Sequence, residues 1–302
     1  MAPLKHAILG VGGVGGVLGT FLAQLGDSVT AVVRPESLAN YPEQFHLEST
    51  FGTFDVPICR TTESPACDVL WISVKATQLD SALQAVTKPE AIGAIIPLLN
   101  GIDHLSVLRA RYGKDRVIAA TIAGEMERIA PGRFVHRTPF LRLNVSSIGR
   151  TLLGPTLDGL TKLGLECHFV DNEPTLMWGK LVFLAPIALA TTAAGQSVGG
   201  VMSDPRWRQQ WEGCVREACT VATAEGAKVD ADAVLRAVPK MPGAMRSSMQ
   251  KDVEQGNPPE LAAIAGPIIR LGNARGIDVI ATERLAESVA ERTARVPMKS
   301  RP

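Results

Sequence analysis

An α/β fold follows from three features of the chain: a glycine-rich turn behind the first apolar run, β-branched runs alternating with helical segments through the first half, and the end of strand-like patterns at Asp171. The sequence therefore predicts two domains, a parallel-sheet domain over 1–170 and an all-helical domain over 171–302.

The first strand is Lys5-His6-Ala7-Ile8-Leu9, and Gly10-Val11-Gly12-Gly13-Val14-Gly15 follows it directly. Gly10 permits a tight turn, Gly12 lets a pyrophosphate approach bare backbone, and Gly15 lets the next helix pack closely on the strand. The helix expected from Gly13 to Gln24 points its positive end at those phosphates, with Gly13 and Val14 opening its first turn. This is the pattern of a Rossmann-type dinucleotide-binding domain. A second strand, Ser28–Val33, ends at Arg34 rather than at the carboxylate usual for an NAD ribose. A guanidinium there suits a 2′-phosphate, which favours NADP(H). Glu36 lies just beyond and could instead serve an NAD ribose.

Three further apolar runs continue the sheet: Asp68–Val74, Ile92–Leu99 and Val117–Thr121. Gly132–His136 and Leu141–Val145 alternate polar and apolar residues, as an antiparallel pair at a sheet edge would. A helix over Pro155–Leu163 and a strand over Leu165–Val170 complete this half. Asn172 then caps a helix whose first turn holds Glu173 and Pro174. Further helices are expected over Trp207–Glu225, Ala231–Val238, Pro259–Arg275 and Thr282–Arg295, and Lys299–Pro302 reads as a disordered tail.

With 31 basic and 30 acidic residues the net charge is +1, so no global field draws in nucleic acid. The five cysteines lack metal-ligand spacing, and reduced thiols in a cytoplasmic enzyme without metal are expected. No run is apolar for the length of a membrane span; Leu181–Ala194 is short, carries Pro186 and reads as a buried core helix. The start does not read as a signal peptide, because cleavage would destroy the glycine motif. The apolar richness of the helical half is compatible with a homodimer.

Candidate chemistry falls in three clusters. Lys75 and Asn100-Gly101 follow strands, at the sheet edge where open α/β folds bind ligands; Lys75 could contact cofactor or carboxylate. Lys180 lies in a mostly apolar helix, where burial would lower its pKa and fit it to protonate a carbonyl oxygen as hydride arrives. Ser248 offers a short donor to a carboxylate or hydroxyl, and Glu260 could orient Lys180 or accept from a substrate hydroxyl.

Together these motifs resemble the ketopantoate reductase (2-dehydropantoate 2-reductase) family, NADPH-dependent enzymes of pantothenate biosynthesis. The likeness runs through the glycine turn, Arg34, Val74-Lys75, Asn100-Gly101, Pro131-Gly132…His136, Lys180-Leu181 and the string Ser248-Met249…Asp252…Gly256…Glu260. It implies an active site between the two domains, with Lys180 as general acid and Asn100, Ser248 and Glu260 holding a small carbonyl substrate; Asn100 also borders the cofactor.

The departures have a direction. The family carries asparagines four and eight residues after the catalytic lysine, where this chain has Leu184 and Ala188, and the glutamine usual before Asn-Gly is Leu99. Glu260 is followed by Leu261-Ala262 rather than Ile-Asp. Residues 180, 184 and 188 share a helix face. A substrate hydroxyl against Leu184 would lose about 1–3 kcal/mol, so a 2-oxoacid or related ketone with an apolar side chain is expected. The alternatives are an oxidoreductase of the same fold acting on another hydroxy or amino acid derivative, and a non-catalytic NADP-binding sensor.

Overall fold

The computed structural model describes residues 3–297; the expected tail Lys299–Pro302 lies outside them. By internal contact the chain forms two compact units. One takes the chain to Leu99 together with His104–Leu176, and the other takes Asn100–Asp103 and the chain from Met177 onward.

The first unit begins β1 (Lys5–Leu9), α1 (Gly13–Gln24), β2 (Ser28–Val32) and a short α2 (Pro35–Leu38). There follow β3 (Gln44–Ser49), β4 (Gly52–Pro57), β5 (Cys59–Thr61), β6 (Cys67–Ile72), α3 (Leu79–Ala82) and β7 (Ile92–Pro97). The main sheet has five strands in the order β5-β2-β1-β6-β7. Every pairing in it is parallel. The strands read as apolar runs because both faces are covered: Ala7, Ile8, Val69, Leu70, Trp71 and Ile95 have no exposed surface.

The unit continues with α4 (His104–Tyr112), β8 (Ala120–Ala123), β9 (Met126–Ala130), β10 (Arg133–His136), β11 (Arg142–Ser146), α5 (Arg150–Lys162) and β12 (Glu166–Val170). Two smaller sheets hold most of these strands, ordered β4-β3-β10-β9 and β12-β11-β8. The expected pairing of Gly132–His136 with Leu141–Val145 is corrected here. β10 pairs with β3 and β9, whereas β11 pairs with β12 and β8. Alternation is a property of any half-buried strand and does not name its neighbour. The run Val117–Thr121 likewise contributes only its end to a strand. Val117 makes a single bridge to Ile95, and the strand itself pairs antiparallel with β11. The hairpin β3–β4 has a readable signal in Phe45 and Leu47, both fully buried between more exposed neighbours, but was not anticipated.

Helix α1 is buried from Gly15 to Leu22 without interruption. Its glycines explain this. A Cβ on Gly15 would lie 2.3 Å from Ser73 Oγ, and one on Gly16 would lie 2.0 Å from the Phe134 ring of β10. Bare backbone therefore lets β6 and β10 both approach the same helix.

The second unit is helical among its described residues. Its first helix is α6 (Glu173–Ala194), whose opening residues still belong to the first unit; α7 (Val198–Ser203), α8 (Pro205–Ala224) and α9 (Ala231–Ala237) follow. Then come α10 (Ser248–Glu254), α11 (Leu261–Ile264), α12 (Gly266–Ala274) and α13 (Ile280–Ala294). Asn172 Oδ1 accepts from Thr175 N at 2.7 Å, the cap expected for α6. The single helix expected over Pro259–Arg275 is broken at Ala265, ahead of Gly266-Pro267. The eight helical residues preceding Leu181 extend its run, and α6 at 22 residues is long and apolar enough to cross a membrane, against the expectation; 78% of its apolar window is buried within the protein. Its core partners include Trp211, Val215, Ala218 and Leu285.

Candidate active site

In the first unit the turn from β1 into α1 is tight and leaves one open position. Gly10 has φ +95°, and a Cβ there would lie 2.5 Å from Val74. Gly12 differs from its neighbours: nothing lies within 4 Å of where its Cβ would project. Gly12 is the N-cap of α1, and no side chain caps the helix. Space is thus open at Gly12, next to the start of a 12-residue helix with no side-chain cap, which fits the pyrophosphate of a dinucleotide. Ser73 Oγ donates to Gly10 O at 2.8 Å and ties the turn to the end of β6. Arg34 is exposed beyond β2, with Nη1 3.9 Å from Glu36 Oε1, so both candidates for the ribose end are present together. Lys75 is partly buried after β6.

In the second unit Lys180, Asn100 and Glu260 meet. Lys180 Nζ donates to Asn100 Oδ1 at 3.0 Å. Asn100 Nδ2 donates to Glu260 Oε2 at 2.9 Å. Helix α6 supplies the lysine, the loop after β7 the asparagine, and the residue before α11 the carboxylate. Glu260 is 6% exposed. Gly101 lets this loop lie flat, with φ +80° and a projected Cβ 2.3 Å from Ala263 O. Lys180 is partly buried as a whole residue. Burial of its amine lowers the pKa from 10.5 to about 8, and the negative charge of Glu260 limits the fall. An amine so placed is charged at neutral pH and can release its proton readily. The sequence pointed to all three residues but not to the Asn100 amide standing between the other two.

The remaining candidates are spread more widely. Ser248 is exposed at the first position of α10, while its neighbour Ser247 is buried. Ser247 Oγ lies 2.9 Å from Thr191 Oγ1 and accepts from Gln250 N at 3.1 Å. The end of α10 that carries Ser248 is therefore seated on α6 three turns beyond Lys180. Leu184 is partly exposed, whereas Ala188 is fully buried in the second core. Ala188 thus lines no open wall in this structure, and the apolar face beside Lys180 is Leu184.

An open glycine turn and a buried amine of lowered pKa are features that an oxidoreductase would use. Comparison with known proteins gives the family. Residues 6–149 match the model for ketopantoate reductase PanE/ApbA, and residues 174–293 match that for its C-terminal part. The chain is 30% identical over 286 residues to a 2-dehydropantoate 2-reductase of Caulobacter vibrioides, covering 90% of this chain and 93% of that one. The chain belongs to the ketopantoate reductase family. Solved structures share its fold, and two illustrate the likeness. A PanE/ApbA family ketopantoate reductase from Ralstonia eutropha has TM-score 0.84 at 24% identity, over 96% of this chain and 99% of that one. A D-mandelate dehydrogenase, solved with NADH and anilino(oxo)acetate, has TM-score 0.83 at 20% identity, with the same coverage.

Proposed function

We propose that the protein is an NADPH-dependent reductase of 2-oxoacids with an apolar side chain. The observation that carries this is the Lys180 amine, held by Asn100 Oδ1 at 3.0 Å and shifted to about 8. Bound at the turn Gly10–Gly15, the coenzyme supplies hydride. Lys180 donates a proton to the carbonyl oxygen as negative charge develops on it, and Glu260 keeps the amine protonated until then. The Asn100 amide fixes the rotamer of Lys180 and couples it to Glu260. Arg34 is proposed to take the 2′-phosphate, and Ser248 the substrate carboxylate or a distal polar group.

The apolar preference rests on Leu184, which offers no partner to a hydroxyl. A fold relative named as a D-mandelate dehydrogenase, with an anilino oxoacid bound, supports the idea that this scaffold tolerates aryl oxoacids. A role in pantothenate biosynthesis would require ketopantoate as the preferred substrate, which this wall disfavours. The proposed setting is the cytoplasm, with a homodimer as the assembly.

The test is NADPH consumption over a 2-oxoacid panel graded by side-chain polarity. Higher kcat/KM for apolar members supports the reading, and ketopantoate outrunning all of them overturns the substrate assignment. Coenzyme binding without turnover of any carbonyl, in either direction, would favour the sensor.

A further inference from the structure

A cation beside the glycine turn has no part in the account so far. Strand β9 starts against the start of α1: a Cβ on Gly13 would lie 2.4 Å from Met126 O. Side chains alternate along a strand. Met126 packs on the first core and Ile129 is 48% exposed, so residues 126 and 128 face α1 while 127 and 129 face away. Glu127 is engaged on the outer face by Arg137, at 2.9 Å. Arg128 instead reaches the turn itself, its Nη1 donating to Val11 O at 3.4 Å.

That contact is long and uses one of five guanidinium N–H groups. Among the described residues no carboxylate lies within ion-pair distance of Arg128. Tyr41 is nearby, 4% exposed, with a hydroxyl that makes no hydrogen bond of full geometry. Burial raises the Tyr41 pKa; the Arg128 charge, the Gly132 backbone and a weak hydrogen bond from Arg128 oppose that rise, which marks Arg128 and Tyr41 as close neighbours. Arg128 is exposed, so its guanidinium stands near a buried ring and the glycine turn with most of its donors open to a ligand. The turn Gly10–Gly16 contributes backbone dipoles but no charge of its own.

We propose that Arg128 is a further anion-binding residue of the nucleotide site, closing on the diphosphate bridge of a dinucleotide seated at Gly12 and Gly13. The proposal rests on the dinucleotide reading of the turn. A planar guanidinium matches two phosphate oxygens and adds the full charge that the helix N-terminus lacks. Its role differs from that of Arg34. Every nicotinamide dinucleotide has the diphosphate, so Arg128 contributes to NADPH and NADH alike and leaves the ratio of their affinities unchanged.

Dissociation constants of NADPH, NADH and ADP are measured by titration calorimetry on wild type, Arg128→Ala and Arg128→Gln, with thermal melting of the free proteins as the folding control. Both variants should melt with wild type and bind all three ligands about tenfold or more weakly, by a common factor. Wild type that binds none of the three overturns the dinucleotide reading and this proposal with it. Wild type that binds them while both variants bind equally well overturns the role of Arg128 alone. Loss confined to NADPH makes Arg128 a 2′-phosphate ligand and overturns the diphosphate assignment.

Discussion

Lys180 Nζ donates to Asn100 Oδ1 at 3.0 Å, across eighty positions of sequence. The same asparagine donates its amide to Glu260, so a neutral side chain links an amine to a carboxylate through one planar group. Asparagine alone among short side chains offers an acceptor and a donor in that arrangement.

Replacing Lys180 separates chemistry from binding. Lys180→Met should lower kcat by about 10² to 10⁴ and leave the Kd of NADPH unchanged, as loss of a proton donor does. Steady-state kinetics and calorimetry check the two halves.

The same substitution should stabilise the fold. The folded pKa of Lys180, about 8, lies below the unfolded value of 10.5. Below pH 8 both states hold the proton and folding bears the full cost of burying the charge, up to about 3 kcal/mol. Between pH 8 and 10.5 the unfolded chain binds more proton, so wild-type stability rises with pH; above 10.5 the cost is gone. Urea denaturation should therefore find Lys180→Met more stable than wild type at pH 7, with the difference fading by pH 10.5.

Glu260→Gln removes the charge that limits the fall in the Lys180 pKa. The variant should lose activity at a lower pH than wild type on the alkaline side of its kcat profile, with an amide still present to pair with Asn100. An unmoved limb would mean that Glu260 does not act on this amine.

At Gly101 an added methyl would meet Ala263 O at 2.3 Å, in a backbone conformation of φ +80° that alanine rarely adopts. Gly101→Ala should cost about 1–3 kcal/mol in thermal or urea unfolding. By displacing Asn100 it should lower kcat more than it raises the Kd of NADPH.

Arg34→Ala tests the coenzyme choice. Under the proposed 2′-phosphate role of Arg34, wild type should prefer NADPH over NADH and the variant should lose most of that preference, because a guanidinium at the end of β2 contributes little toward an unphosphorylated ribose. Paired Kd measurements suffice. A preference that survives the substitution would refute the 2′-phosphate assignment.

Much of the fold is written locally. The glycine turn, the apolar strands of the main sheet and the cap at Asn172 each depend on residues within a few positions of one another. Strand partners do not: β10 and β11 both alternate, yet they lie in separate sheets, and Phe134 of β10 packs on the bare backbone at Gly16, far away in sequence. At the site, Lys180, Asn100 and Glu260 were each visible as polar residues in apolar settings or at element ends. Their connection was not, since it joins positions 100, 180 and 260 through side-chain geometry alone. Spacing placed Leu184 and Ala188 on one face, but the depth of Ala188 is set by the long-range packing of the second core, which no local pattern records.

The most direct test of the account is the pH dependence of hydride transfer in single turnovers of the wild-type enzyme with a saturating apolar 2-oxoacid. The rate should be level at neutral pH and fall tenfold per pH unit above about 8, as the Lys180 amine loses its proton. A rate that stays level to pH 10 would contradict the assignment of this amine as the acid.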